Sequence, residues 1–208
     1  MRNDDFDKLI ARIAHLKKLR DSDPILSRSI AGWHVEGPFL SSEPGFRGAH
    51  DNEVMRDPTT ADIDRIRETL AEDPVLLTFA PERNGAITAI KRATKLGMQV
   101  SLGHCDPSVE DLEAAKKAGA TAFTHLGNGC PQELDRHDSF MWRVLDSGGL
   151  LCGLIPDRIH VRPTFFRVLH RILEPENIYY TTDAMSAAGR SEEHTSELQS
   201  LAYLVCRL

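Results

Sequence analysis

Short apolar runs alternate with amphipathic helical segments along most of the chain, and this alternation constrains the fold more than any other feature. The apolar runs predict β-strands at residues 29–35, 75–79, 98–102, 121–124, 150–155 and 178–181. The segments between them predict helices at 60–72, 85–96, 109–118, 137–146 and 163–173. Strands that alternate with helices form right-handed βαβ units, so the sequence predicts an α/β fold with a parallel sheet.

The first residues predict one more helix, in front of the first strand. Apolar side chains recur there at helical spacing: Phe6, Leu9, Ile10, Ile13 and Leu16. This spacing is typical of an amphipathic helix that buries one stripe. Helix ends are also marked, since Asp106-Pro107-Ser108 precedes the segment 109–118 and Gly119 follows it.

A parallel sheet can be open and doubly wound or closed into a barrel, and periodicity alone does not decide between the two. Polar residues at the strand ends favour a barrel, where catalytic groups come from the carboxyl ends of several strands. These residues are Glu36, His104, His125, His160 and Asp183. Neither a glycine-rich dinucleotide fingerprint nor a P-loop follows any predicted strand. The sequence therefore predicts a TIM-type (β/α) barrel.

Composition and charge limit which partners the chain could bind and in which compartment it would occur. Hydrophobic residues make up 41% and charged residues 27%, which is enough for one sizeable core. The net charge is −6 and no basic cluster occurs, which argues against a nucleic-acid partner. The four cysteines (Cys105, Cys130, Cys152, Cys206) have no C-x-x-C spacing, and no apolar window is long enough for a membrane span. We expect a soluble cytoplasmic protein.

The last nineteen residues do not continue the barrel pattern. The string RSEEHTSELQS, which begins at Arg190, resembles the in-frame translation of a sequencing-library adapter. A genuine short C-terminal helix is the alternative, because Leu198, Leu201, Leu204 and Val205 could form one stripe. We expect a partial catalytic barrel over residues 1–189 and a non-native tail over 190–208.

Three of the strand-end residues have the chemistry of a metal site. Glu36, His104 and His125 supply one carboxylate and two imidazoles, which suit zinc and similar divalent ions and leave a coordination position open. A single histidine at a strand end is more often an ordinary polar residue. The shared placement of the three at the ends of apolar strands indicates a catalytic metal centre.

The other strand-end residues could act on a substrate. Asp183 could serve as a general base, although an aspartate that caps the next helix is the plainer interpretation. His160 could donate to a carbonyl oxygen on which negative charge develops, or it could be an ordinary loop histidine. In loops, Arg47, His50 and Arg136 could donate to a phosphate, although most charged loop residues are only solvated.

Five motifs occur in an order that resembles a known family. HVEGPFL followed by GAH, then SLGH, THLGNG, DRIHV and TTDAMSAAG, is similar to the N-acetylglucosamine-6-phosphate deacetylases of the amidohydrolase superfamily. The resemblance extends over roughly residues 29–189. It implies a metal-dependent amide hydrolase that converts N-acetylglucosamine 6-phosphate to glucosamine 6-phosphate and acetate in amino-sugar catabolism.

The resemblance also implies roles for individual residues. It assigns one divalent ion, zinc, to Glu36, His104 and His125, and the catalytic acid/base to Asp183. It assigns the substrate contacts to a further set: His50, Asn128, Gly129, Arg136 and His160. Arg136 and His50 would hold the phosphate of the sugar, and because the family's phosphate arginine comes from a neighbouring subunit, a homodimer is implied.

The chain departs from the family pattern in three ways. Gly127-Asn128-Gly129-Cys130 stands where many members have a bulky residue before N-A-M, and Arg158 stands where glycine is usual. The family's earlier strands, its small β-sandwich and its last barrel strands are not in this sequence, so an incomplete (β/α)8 barrel is expected. Two alternatives remain open: another amidohydrolase that acts on a different amide or acylated sugar, and an inactive truncated fragment.

Overall fold

The computed structural model describes residues 3–184, with side chains from residue 5 onward. It contains six strands: β1 Trp33–Glu36, β2 Val75–Phe79, β3 Gln99–Leu102, β4 Ala122–Phe123, β5 Leu151–Leu154 and β6 Ile178–Tyr180. The helices are α1 Asn3–Ser22, α2 Pro24–Ser29, α3 Thr60–Leu70, α4 Ala86–Lys95, α5 Val109–Ala118, α6 Phe140–Ser147 and α7 Pro163–Ile172. Short 3₁₀ turns occupy Asn52–Val54 and Pro175–Asn177.

The six strands form one parallel sheet in the order β1-β2-β3-β4-β5-β6. An open doubly wound sheet reverses its strand order at a switch point, and this sheet does not. A strand order that never reverses winds in one direction, so the sheet curls as the half of a barrel with helices on its outside. The predicted incomplete (β/α)8 barrel is confirmed.

The two faces of the curled sheet carry different chemistry, because successive side chains of a strand point to opposite faces. The outer face is apolar and fully buried under the helices, as at Leu77, Phe79 and Leu102. The inner face is polar, and its side chains lie close enough to bond from one strand to another, even across the strand between them. Thr78 on β2, for example, hydrogen-bonds to Thr124 at the end of β4 at 2.9 Å.

Helix α1 is the amphipathic helix that the sequence predicts. Phe6 and Ile13 are fully buried, and the other three predicted apolar positions pack against the core. On its last turns, Lys17 and Arg20 reach Asp73 at 3.0 and 2.7 Å. The same Asp73 oxygen accepts from the indole of Trp33 at 2.9 Å, so one carboxylate joins α1 to β1 and to the turn before β2.

The first predicted strand is wrong at its start. Residues 24–29 form helix α2, and strand β1 begins only at Trp33. Asp23 caps the helix by accepting from the N–H groups of Ile25 and Leu26, and Pro24 occupies the first helical position. An aspartate followed by proline is a signal for a helix start, and the apolar residues after it concealed that signal.

The structure moves the start of one predicted helix and agrees with the predicted ends of another. The helix predicted at 137–146 begins at Phe140, because the N–H groups of His137 and Asp138 donate to Asp135 instead. Helix α5 has the predicted caps: Ser108 and Asp111 form a reciprocal capping box, and Gly119 ends the helix.

Residues 3–184 contain no helix long and apolar enough to cross a bilayer. The predicted tail over 190–208 and the last residues of the predicted domain 1–189 lie outside the described residues.

Candidate metal centre

The predicted ligands meet at the carboxyl ends of their strands. Glu36 ends β1, while His104 and His125 follow β3 and β4 by two residues. The Oε1 atom of Glu36 lies 2.6 Å from Nε2 of His104 and 3.0 Å from Nε2 of His125. One ligand atom from each residue lies within 4.8 Å of the others, and no second such group occurs among residues 3–184.

Three strand-end residues have an uncommon backbone. His104, His125 and Asp183 have φ values of 51°, 31° and 45°, in a region that residues with a side chain rarely adopt. Only two other non-glycine residues with positive φ, Ala71 and Arg158, occur among the described residues. Strained backbone that gathers at one end of a sheet is typical of a functional site, where the surrounding structure holds the side chains in place.

Electrostatics keep Glu36 ionised. Burial alone would raise its pKa, but the neighbouring imidazoles of His104, His125 and His50 outweigh burial and lower the pKa well below its usual range. Burial lowers the pKa of His104 despite the neighbouring carboxylate. Burial also acts to lower the pKa of His125, but Glu36 and, more weakly, the charge of Asp183 raise it overall.

The hydrogen bonds of His104 set the form of its ring. Its Nδ1 lies 2.8 Å from the backbone oxygen of Phe46, which can only accept, so Nδ1 carries the proton. In the neutral ring Nε2 then presents a lone pair to the Glu36 oxygen at 2.6 Å. Two lone pairs at this distance repel unless a positive charge lies with them.

Buried nitrogen atoms without a hydrogen-bond partner also indicate whether a metal ion fits this cluster. Nδ1 of His125 and Nε2 of His50 are buried and make no hydrogen bond. A carboxylate and two imidazole nitrogens form a donor set that suits zinc and other divalent ions. The residues present therefore fit a divalent metal ion.

His50 lies inside this cluster. Its Nε2 is 3.5 Å from the same Glu36 oxygen, its ring meets the His104 ring edge-on at 4.7 Å, and its side chain is only 7% exposed. The family resemblance assigned His50, on the loop after β1, to the phosphate of the sugar. The structure brings that loop back over the strand ends and places His50 beside the ligands.

Asp183 and His160 differ in how closely they approach the centre. Asp183 is exposed at the end of β6, and its charge acts on His125 and on His34. His160 lies on a loop with its side chain 49% exposed, where Nδ1 donates to Asp157 at 2.6 Å. That bond, together with backbone N–H donors from the same loop, lowers the pKa of Asp157 to about 2.

The remaining predicted contacts divide into two groups. Asn128 and Gly129 lie three and four residues after His125, and the side-chain amide nitrogen of Asn128 is buried without a hydrogen-bond partner. Gly129 lies against the His104 ring. Arg136 is exposed on the loop before α6, and Arg47 is only loosely bonded to the backbone oxygen of Ser42 at 3.5 Å.

A polar network that the sequence did not predict lies on the inner face of the sheet, in the same strands as the candidate metal centre. Nε2 of His34 lies 2.8 Å from the hydroxyl of Thr78, which is 2.9 Å from that of Thr124. Thr124 in turn lies 2.7 Å from the hydroxyl of Ser101. A usable signal was present in the sequence, because polar residues alternate with apolar ones in strands that otherwise look fully buried.

Known deacetylases are similar to this chain in sequence. N-Acetylglucosamine-6-phosphate deacetylase from Danio rerio is 32% identical over 167 residues, which cover 77% of this chain and 41% of that protein. N-Acetylgalactosamine-6-phosphate deacetylase from Shewanella is 34% identical over 166 residues, covering 78% and 40%. The chain thus spans about two fifths of the length of these relatives, and no protein-family profile matches it.

Solved structures agree with the sequence relatives. N-Acetyl-D-glucosamine-6-phosphate deacetylase from Mycobacterium smegmatis, in a variant bound to N-acetyl-D-glucosamine-6-phosphate, matches with a TM-score of 0.79 and 31% identity. The match covers 89% of this chain and 47% of that one. The Thermotoga maritima enzyme matches with a TM-score of 0.73 and 26% identity, over 88% and 49%. The ordered motifs, the half-barrel and these relatives agree: the chain belongs to the N-acetylglucosamine-6-phosphate deacetylase family.

Proposed function

We propose that the complete protein hydrolyses the acetamide of N-acetylglucosamine 6-phosphate, with glucosamine 6-phosphate and acetate as products. The convergence of Glu36, His104 and His125 on one point at the strand ends carries the proposal, because it is a donor set suited to a hydrolytic metal. Zinc is the ion that we propose for this site. A divalent ion held there supplies Lewis-acid polarisation of the amide carbonyl and a lower pKa for the attacking water.

Asp183 is the proposed acid and base. Its backbone N–H is bonded to Thr181, which fixes the turn, while Asp183 itself is exposed just after the carboxyl end of β6. There it takes a proton from the attacking water and returns it to the departing nitrogen, which leaves as an amine. The effect of its charge, which raises the pKa of His125, supports this role.

His50 is the better candidate to donate to the carbonyl oxygen, a role that the sequence analysis gave to His160. A group that stabilises developing charge acts most strongly when it is buried and already oriented. Nε2 of His50 is buried beside Glu36 and has no hydrogen-bond partner. His160, which is half exposed and bonded to Asp157, suits a contact at the outer part of the substrate.

The remaining assignments follow the position of each residue on its loop and its exposure. Asn128 and Gly129, on the loop that contains His125, are proposed to contact the sugar, and Arg136 to hold the phosphate together with His160. The exposed position of Arg136 leaves it free to serve a site in a second copy, in line with a homodimer. The three described cysteines are unpaired, which is consistent with the proposed cytoplasmic location.

A second candidate substrate is N-acetylgalactosamine 6-phosphate. The Shewanella enzyme named for that substrate is as similar to this chain as the enzymes named for the glucosamine epimer. The two sugars differ only in the configuration of one hydroxyl, so both must be tested.

The test is acetate release by the full-length protein supplied with zinc. N-Acetylglucosamine 6-phosphate should be hydrolysed faster than its galactosamine epimer, and unphosphorylated N-acetylglucosamine should be a poor substrate. Asp183→Asn should abolish turnover and keep the bound zinc, whereas Asp64→Asn, on the outer surface of α3, should change neither. Activity that ignores the phosphate would redirect the assignment to another amide, and full activity of Asp183→Asn would refute the role of Asp183.

A further inference from the structure

Two loops meet on the imidazole of His104. One follows β1 and contains Gly48, and the other follows β4 and contains Gly129. A Cβ atom added to Gly48 would lie 2.7 Å from Cε1 of His104, and one added to Gly129 would lie 2.6 Å from both Cε1 and Nδ1. Real Cβ atoms essentially never approach this closely, so the ring occupies space that two missing side chains leave free.

The first loop also holds the ring by a hydrogen bond. Two residues before Gly48, the backbone oxygen of Phe46 accepts from Nδ1 of His104 at 2.8 Å. A backbone acceptor fixes both the tautomer and the rotation of a ligating histidine, which leaves Nε2 available to a metal. The Phe46 ring meets the buried Phe140 ring edge-on at 6.0 Å, which anchors the loop to α6.

The backbone of His104 adds strain that needs such support. Its φ of 51° is unfavourable for a residue with a side chain, and its carbonyl oxygen accepts from the N–H of Ser41 at 2.9 Å. Ser41 belongs to the same long connection after β1 that contains Phe46 and Gly48. The connection after β1 therefore contacts His104 at three points. Ser41 bonds to its backbone, Phe46 bonds to its ring nitrogen, and Gly48 packs against its ring.

We propose that Gly48 and Gly129 are positioning residues, which together with the Phe46 carbonyl orient His104 as a metal ligand through Nε2. The inference rests on the proposed metal centre and extends it to two glycines that contribute no ligand of their own. Any side chain at either glycine forces the ring to rotate or the loop to withdraw, and both movements take Nε2 away from Glu36. The affinity for metal thus depends on the absence of two side chains.

The test compares Gly48→Ala with Gly97→Ala in zinc titrations of the chain against a chromophoric chelator. Both glycines have positive φ, 59° and 75°, so both alanines strain the backbone. A methyl group at residue 97 meets nothing within 4 Å, whereas one at residue 48 meets His104. Gly48→Ala should weaken zinc binding about 10- to 100-fold, as removal of support from a ligand does. Gly97→Ala should retain the wild-type affinity.

The outcomes separate the inference from the function on which it rests. Wild-type protein that binds zinc, with equal affinity in the two variants, overturns the positioning role alone. Wild-type protein that binds no zinc overturns the metal centre and this inference with it. If Gly48→Ala does not fold, Gly129→Ala and nitrogen-15 spectra of the zinc-loaded wild type decide the question. A protonated Nδ1 and a ligated Nε2 on His104 are expected, and ligation through Nδ1 would contradict the proposal.

Discussion

The free energy of unfolding should depend on the charge of Asp73, which joins α1 to the first two strands. Partial burial raises the pKa of this carboxyl, but donors from Trp33, Lys17 and Arg20 outweigh burial and lower the pKa from 3.8 to about 2. At full strength that difference corresponds to about 2 kcal/mol, and solvent screening reduces it to about 1–2 kcal/mol. Replacement of Asp73 by Asn should remove this contribution.

The sign of the pH dependence follows from the lowered pKa. A group with a lower pKa in the folded state stabilises the fold fully above its unfolded value and loses the effect as pH falls through the folded value. For Asp73 the window therefore runs from about pH 4 down to about pH 2. Urea unfolding at a series of pH values should show Asp73→Asn less stable at pH 7 and the difference shrinking across this window.

A matched variant controls for the loss of any surface ion pair. Asp64 pairs with Arg92 at 2.6 Å and its side chain is 36% exposed, so Asp64→Asn should cost under about 0.5 kcal/mol. The reasoning would be refuted by a difference between wild type and Asp73→Asn that stays constant with pH, or by no difference at pH 7.

Three further stability predictions rest on local structure, each measured by urea denaturation. Phe79 is fully buried and its ring stacks on that of Phe39 at 5.4 Å, so Phe79→Ala should cost about 3–5 kcal/mol, and a loss under about 1 kcal/mol would contradict the packing. Arg158 has a φ of 69°, so Arg158→Gly should stabilise the fold by about 1 kcal/mol, and a destabilised variant would argue against backbone strain there. Ser108→Ala should cost about 1 kcal/mol through loss of the α5 cap, and an unchanged midpoint would contradict the capping box.

The sequence could predict the convergence of Glu36, His104 and His125 because strand ends are a local property. Each of Glu36, His104 and His125 closes an apolar run, and the carboxyl ends of parallel strands meet at one edge whatever the details of the loops. The convergence of these residues needed no knowledge of loop conformation. The half-barrel was predictable for the same reason.

Loop positions could not be predicted, because they depend on contacts between distant segments. His50 lies 14 positions after Glu36 in a loop with little regular structure. Nothing in the local sequence indicates that the loop folds back and brings Nε2 of His50 within 3.5 Å of the Glu36 carboxylate. The packing of Gly48 on His104 depends in the same way on contacts between separate loops. By contrast, the strain at Arg158 could be anticipated, since a glycine is usual at that position and the backbone there has positive φ.

The central claim is a metal held by one carboxylate and two imidazoles, and X-ray absorption of the zinc-loaded chain tests it most directly. The structure predicts one zinc per chain with nitrogen and oxygen ligands at about 2.0–2.1 Å, and its loss in a Glu36→Gln variant. A sulfur shell at about 2.3 Å would instead place the ion on cysteine, such as Cys105 next to His104. That result, or a wild-type chain that binds no zinc, would contradict the account.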